Sequence, residues 1–305
     1  MSPDGGVFHR PCPNCGSESG PRDVVVRAPV PAEPLGPEER AEYWRGFRSR
    51  SCFFDYARCP VCALLYCPTY FTDESLNRLY SSMPDNTAGA PPEVLRHTHR
   101  GYVEFLADQG SLRGTYLEIG PDIGLATEAA CAVGDFDRAI LVEPNLTVHD
   151  QLRAASGPVP AQVVADLADI PPDRQANVAV LIHVLDHLIE PASYLRSLRE
   201  RLGQGSSMLV VVHNEASLLR RVLGVRWPPF TLQHPQLFSP YTLRSMLSKA
   251  GFGVVNVRPT VNVFPARHVV NTAASLAGID GRWTALVPNW NVRIRLGNIM
   301  AVASA

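Results

Sequence analysis

The residues with the plainest chemistry are four of the seven cysteines, set as Cys12-Pro13-Asn14-Cys15 and Cys59-Pro60-Val61-Cys62. A CxxC knuckle places two thiolates on one tight turn, and two such knuckles supply the four sulfurs of a tetrahedral zinc site. Four sulfurs leave no open coordination position, so Cys12, Cys15, Cys59 and Cys62 are predicted to hold a structural Zn2+. The 43-residue spacer between the knuckles exceeds what a compact ribbon needs, but loop-closure entropy grows slowly with length. Redox or disulfide chemistry is the competing reading, and a cytosolic address disfavours it. Cys52, Cys67 and Cys131 read as buried small apolar residues, with Cys52 and Cys67 as alternative ligands.

A second group sits in residues 116–127, YLEIGPDIGLAT, where an apolar run enters a turn with Gly120, Pro121, Asp122 and Gly124. Such a turn lets a ligand approach the backbone at the carboxyl end of a first parallel strand. The G-x-G-x-x-G fingerprint of dinucleotide binding is missing. In its place stands an acid, Glu118, which would repel a pyrophosphate but could hold the cationic amino-acid end of S-adenosylmethionine. Glu143 follows 19 residues after Gly124, at the end of LVEP, where a carboxylate can take both hydroxyls of a ribose. Asp166 follows the next short strand, within reach of an adenine amino group. His183 and His187 flank Asp186; they can be read as metal ligands, but the favoured roles are His183 lining the cofactor pocket and His187 satisfied in a turn.

Together LEIGPDIG, LVEPN, VLIHVLDHLIEPASYLRSLRERLGQGSSMLVVV and HPQLFSPYTLRSMLSKAGFGVVNV resemble the class I S-adenosylmethionine-dependent methyltransferases over about residues 93–305. The resemblance implies S-adenosylmethionine bound by Glu118, Gly120, Pro121, Asp122, Gly124, Glu143, Asp166 and His183. The family usually has glycine where Asp122 stands, and commonly aspartate where Asn177 opens the fourth strand. The added cysteine module is similar to that of bacterial deoxysugar C-methyltransferases, whose HEHxxYFS stretch corresponds here to Leu232-Gln233-His234-Pro235-Gln236-Leu237-Phe238-Ser239. Only the second histidine, His234, is matched, and the tyrosine-serine stretch of those enzymes is reduced to Tyr80-Ser81-Ser82. Their additional C-terminal domain has no counterpart in these residues.

Methyl transfer requires an acceptor held in line with the sulfonium methyl and, usually, a base for its proton. His213 and Glu215, after the fifth predicted strand, and His234 are the candidate catalytic residues. The acceptor implied is a small molecule, a sugar or natural product. The alternatives are a non-catalytic methyltransferase-like scaffold whose zinc module binds a protein, and an RNA methyltransferase.

The elements that must position these groups follow from punctuation and period. Nearly half of the 27 prolines fall in the first 92 residues, marking a loop-rich module with a short helix at 38–48 and short strands at 53–57 and 64–66. Strand and helix patterns then alternate about every 25 residues, with a final strand at 294–303, which predicts a Rossmann-like, doubly wound α/β sheet of seven strands. The organisation expected is a zinc-binding module over 1–80, a linker and helical lead-in over 81–100, and a methyltransferase domain over 101–305. A formal net charge of -1, with 28 Lys+Arg against 29 Asp+Glu, argues against nucleic acid as a partner. No apolar run is long enough to span a membrane, and the first ten residues carry no secretory leader, so a cytoplasmic address is expected. The oligomeric state stays open.

Overall fold

A computed structural model describes residues 6–44, 52–81, 92–171, 173–276, 287–288 and 290–305. Ser82, half of the 81–100 linker and the end of the 38–48 helix lie outside the described residues. A seven-stranded sheet forms from β1 (Arg113–Ile119), β2 (Asp135–Val142), β3 (Ala161–Val164), β4 (Ala176–Ile182), β5 (Leu202–His213), β6 (Gly253–Pro259) and β7 (Asn298–Ser304). Its order is β3-β2-β1-β4-β5-β7-β6, with β1 to β5 parallel and β7 antiparallel to both β5 and β6. Helices α1 (Pro92–Ala107), α2 (Leu125–Val133), α3 (His149–Ala155), α4 (Pro191–Glu200) and α5 (Pro240–Lys249) accompany it. The doubly wound reading is thereby realised.

Central strands such as Val178–Leu181 and Met208–Val212 are apolar without alternation because both faces are covered. Leu117, Ala179, Leu181, Met208 and Val210 pack toward α4 and α5; Tyr116, Val178, Val180, Leu209 and Val211 pack toward α1 and α2. The strand predicted at 294–303 is in fact two: Asn291–Ile294 pairs with Asn262–Pro265, while β7 begins at Asn298. Gly297, at φ 86°, separates them. A left-handed residue cannot continue an extended run, which is why the pattern breaks there.

The cysteine-rich module has a four-stranded sheet in which Val24–Val26, Tyr56–Arg58 and Leu65–Tyr66 are joined by Gln236–Leu237, contributed from far downstream of the second knuckle through antiparallel pairing of Gln236 with Tyr66. Its aromatic core, with Trp44, Phe53, Phe54, Tyr56, Tyr70 and Phe71, also takes in Trp227, Phe230, Leu232 and Leu237. The segment after β5 thus packs as part of the module while its ends remain attached to the sheet. Among the described residues no helix is long and apolar enough to cross a membrane.

Candidate functional site

The carboxyl ends of β1, β2, β4 and β5 open onto one rim. At β1 the loop turns through Gly120 (φ 63°), Asp122 (φ 52°) and Gly124 (φ 84°) before α2. A Cβ on Gly120 would come within 2.7 Å of Val184, and one on Gly124 within 2.6 Å of Ala155, so both positions require glycine by space as well as by conformation. Asp122 adopts a left-handed backbone, a region aspartate enters more readily than most residues. Pro121 is buried between them.

Glu118 is buried beneath this loop, its Oε2 accepting from Tyr116 Oη at 2.8 Å and Thr127 Oγ1 at 2.5 Å. Burial pushes its carboxyl up to about 7, and Asp122 and Glu143 add repulsion while the two hydroxyls oppose it. Glu143, half-buried at the end of β2, accepts from the Asn145 N–H at 2.9 Å; burial raises its carboxyl against that hydrogen bond. Three acids within Coulomb reach of one another make a cradle suited to a cation. Asp166 is exposed and caps a 3-10 turn by accepting from the Ala168 N–H at 2.7 Å.

Beyond β4 and β5 the structure gathers four histidines. His183 ends β4 at φ 53°, a conformation rarely held by a non-glycine residue except where surroundings impose it. Its ring lies 4.5 Å from that of His213; His213 lies 4.6 Å from His234, and His234 lies 4.6 Å from His187. His183 and His187 lie on 183–190, a turn segment without helix, and each faces a different partner. His213 Nδ1 hydrogen-bonds Asp186 Oδ2, which also accepts from the His213 backbone N–H at 3.2 Å. Asp186 is fully buried; burial alone would raise its carboxyl, but the facing histidines hold it well below the usual range.

His234 Nδ1 lies 2.7 Å from the Pro229 carbonyl and 3.1 Å from Thr231 Oγ1. A carbonyl can only accept, so Nδ1 carries the proton and Nε2 keeps its lone pair. Burial, with His187 and His213 nearby, holds the ring well below the usual imidazole range and therefore neutral at pH 7. Glu215 is engaged elsewhere: Arg58 grips both its oxygens at 2.9 and 3.0 Å. A carboxylate neutralised by a bidentate guanidinium is spent on that pair rather than on a substrate proton.

The four knuckle cysteines converge, with Cys12 Sγ 3.5 Å from Cys62 Sγ and Cys15 Sγ 3.4 Å from Cys59 Sγ, all ligand atoms within 4.8 Å of one another. The backbone turns match: Gly16 N–H donates to Cys12 O and Ala63 N–H to Cys59 O, with Gly16 at φ 73° and Ala63 at φ 61°. Such a sulfur set is compatible with zinc. Lys249, the chain's single lysine, donates to the Asn14 carbonyl of the first knuckle at 3.3 Å.

Sequence reading missed the residues that join these parts. Arg10, fully buried, donates to the carbonyls of Cys67, Ile189 and Pro235 and to Gln236 Oε1, at 2.7–3.0 Å. Gln236 passes its own amide to Leu185 O and Leu188 O at 2.9 and 2.8 Å. Tyr56 Oη donates to His234 O at 2.5 Å and Tyr70 Oη to Leu232 O at 2.7 Å. Only Asp186, framed in HVLDH, carried a signal in its own neighbourhood.

Comparison with known proteins identifies the domain. A family model described as "Methyltransferase domain" (Methyltransf_23) matches residues 93–257. Among solved structures, a chain of the Haloferax volcanii complex containing the Trm112 methyltransferase activator aligns at TM-score 0.52 and 15% identity, over 70% of this chain and 93% of that one. The N-methyltransferase NodS of Bradyrhizobium japonicum, in complex with S-adenosyl-L-homocysteine, aligns at TM-score 0.47 and 13% identity, over 76% and 96%. An S-adenosylmethionine-dependent methyltransferase of Mesorhizobium loti aligns at 0.44 and 14%, over 66% and 96%. A search of curated proteins finds no match. On the family match and the sheet order together, the chain belongs to the methyltransferase-domain family and is a class I S-adenosylmethionine-dependent methyltransferase.

Proposed function

We propose that the chain methylates a small-molecule acceptor, a sugar or natural product, with His234 taking the acceptor's proton. The observation that carries this reading is the state of His234: Nδ1–H is committed to Pro229, and the ring, neutral and buried, joins a histidine cluster at the carboxyl rim. Bound S-adenosylmethionine would supply an electrophilic methyl group. Glu143 would take the ribose hydroxyls, Gly120, Pro121, Asp122 and Gly124 the close approach of backbone, and Glu118 with Asp122 the field favouring its cationic end; Asp166 and His183 would complete the pocket. An acceptor held beside that methyl group would pass its proton to His234 Nε2 as it is methylated, S-adenosylhomocysteine being the other product. Cys12, Cys15, Cys59 and Cys62 would hold a structural Zn2+, and the module over 1–80 would serve to fix the segment between β5 and α5 that carries His234.

Two measurements test this. Calorimetric titration with S-adenosylmethionine and S-adenosylhomocysteine should show binding of the order of micromolar, about -8 kcal/mol, lost in Glu143→Ala. In a screen of hydroxyl- and keto-bearing sugars and natural products, His234→Gln should keep cofactor binding and lose roughly 10²- to 10⁴-fold in turnover. Undiminished turnover would remove His234 from the chemistry. One neighbour is a complex with a methyltransferase activator; the corresponding alternative here, a scaffold whose zinc module binds a protein, predicts no cofactor binding at all.

A further inference from the structure

The cysteine cluster is not the molecule's only set of convergent metal-ligating atoms. His183, Asp186 and His213 each offer a ligand atom, all within 4.8 Å of one another. Two of those side chains hold buried polar atoms without a hydrogen-bond partner, Asp186 Oδ1 and His183 Nδ1. A buried carboxylate oxygen and a buried imidazole nitrogen left unpaired each cost a desolvation penalty of about 1–3 kcal/mol. His183 pays a further backbone cost by sitting at φ 53°, which turns its ring toward His213 and Asp186. Both unexplained costs fall at one point, and that point is on the rim where acceptor chemistry must occur.

We propose that His183, Asp186 and His213 bind a divalent first-row transition-metal ion, separate from the four-cysteine centre. His183 Nδ1 lies 3.9 Å from Asp186 Oδ2, and ligands about 2.0–2.2 Å from one ion at tetrahedral angles sit roughly 3.4 Å apart, so small side-chain rotations close the set. Two imidazoles and one carboxylate suit zinc, iron(II), cobalt or manganese and leave coordination positions open. Without the ion, His213 Nδ1–H bonds Asp186; on metal binding the ring proton moves to Nε2, and Nδ1 and the Asp186 carboxylate both go to the metal. A ligating histidine ordinarily donates its other ring N–H to a fixed oxygen. The Asn298 amide stands 3.4 Å from His183 Nε2, and rotation of that amide by half a turn presents its oxygen there. In this arrangement His213 serves the metal rather than proton transfer. Resting on the acceptor reading above, the open position takes an oxygen of the methyl acceptor and lowers its pKa, and His234 receives the proton as the oxygen–methyl bond forms and the sulfur–methyl bond breaks.

Full-length protein with its cysteines zinc-loaded is titrated with Co2+, and bound metal is counted by plasma mass spectrometry after desalting. The expected result is one further equivalent with a nitrogen–oxygen d–d spectrum lacking sulfur charge transfer. His183→Gln, Asp186→Asn and His213→Gln should each weaken it by at least about tenfold, since even loss of a group supporting a ligand costs 10- to 100-fold. Saturation at the cysteine zinc alone in the wild type, up to millimolar Co2+, overturns the proposal, as does a second equivalent that survives Asp186→Asn and His183→Gln unchanged. These readings require no acceptor and no turnover, so a failed acceptor screen leaves them intact. If the variants do not fold, the wild-type count and spectrum still decide.

Discussion

At the scale of single residues, the two knuckles set up a controlled comparison. Gly16 and Ala63 occupy equivalent left-handed positions, and nothing lies within 4 Å of a Cβ built on Gly16. The difference between them is therefore backbone strain alone. Left-handed backbone costs an alanine about 1–2 kcal/mol, and glycine gives back part of that gain through its freer unfolded chain. Ala63→Gly is expected to stabilise the zinc-loaded protein by about 0.5–1 kcal/mol, and Gly16→Ala to destabilise it by about 1 kcal/mol, read from urea midpoints at constant m-value. Glu118 gives a pH-dependent counterpart. Its native carboxyl, raised from 4.5 to about 7 by burial, keeps a proton that the unfolded chain has already released. Stability therefore falls as pH rises through that window, and the penalty, about 3 kcal/mol, is complete above it. Glu118→Gln should abolish this slope, so that the variant and wild type agree at about pH 4, below the unfolded carboxyl's range, while the variant is the more stable at about pH 8. Equal pH slopes in both proteins would show that Glu118 is not the titrating group.

Among elements, the decisive one is the segment between β5 and α5. It starts on the sheet, where Phe238 N–H returns to His213 O, and crosses to the cysteine-rich module, where Gln236–Leu237 adds a strand. Arg10 fixes that crossing. Replacing it by methionine leaves the Cys67 and Ile189 carbonyls and Gln236 Oε1 without that donor, while the Pro235 carbonyl keeps the Cys67 N–H. A loss of about 3–5 kcal/mol is expected, with Trp227 fluorescence shifting toward that of an exposed indole because the segment it anchors comes loose. Arg10→Lys should recover little, since one ammonium cannot reproduce the planar fork. Tyr56→Phe is the milder test: it removes one donor from the His234 carbonyl and should cost about 1–3 kcal/mol.

At the scale of the whole molecule, the module and the sheet share a core. Cys12, Cys59, Cys62, Leu64 and Tyr66 pack in the same cluster as Leu181, Val212 and Phe238. Chelation of zinc should therefore lower the temperature at which the methyltransferase sheet itself unfolds, seen as one shifted calorimetric transition. Two independent transitions, with the larger unmoved, would mean the module merely adjoins the sheet. Much of this molecule was legible in its residues: the knuckles, the glycine loop and the alternating strands and helices depend on spacing over a few residues or on local hydrophobic period, which a chain carries wherever it folds. The split of the 294–303 strand escaped because both halves are strand-like and only the left-handed Gly297 separates them. What tertiary structure alone decided is the company each side chain keeps. Glu215 met Arg58 from the module, His187 met His234 rather than His183, and Asp186 met His213. Arg10 bonds backbone carbonyls 57, 179 and 225 residues away; every residue presents a carbonyl, so no residue type marks those partners in advance, and only the folded path of the chain selects them.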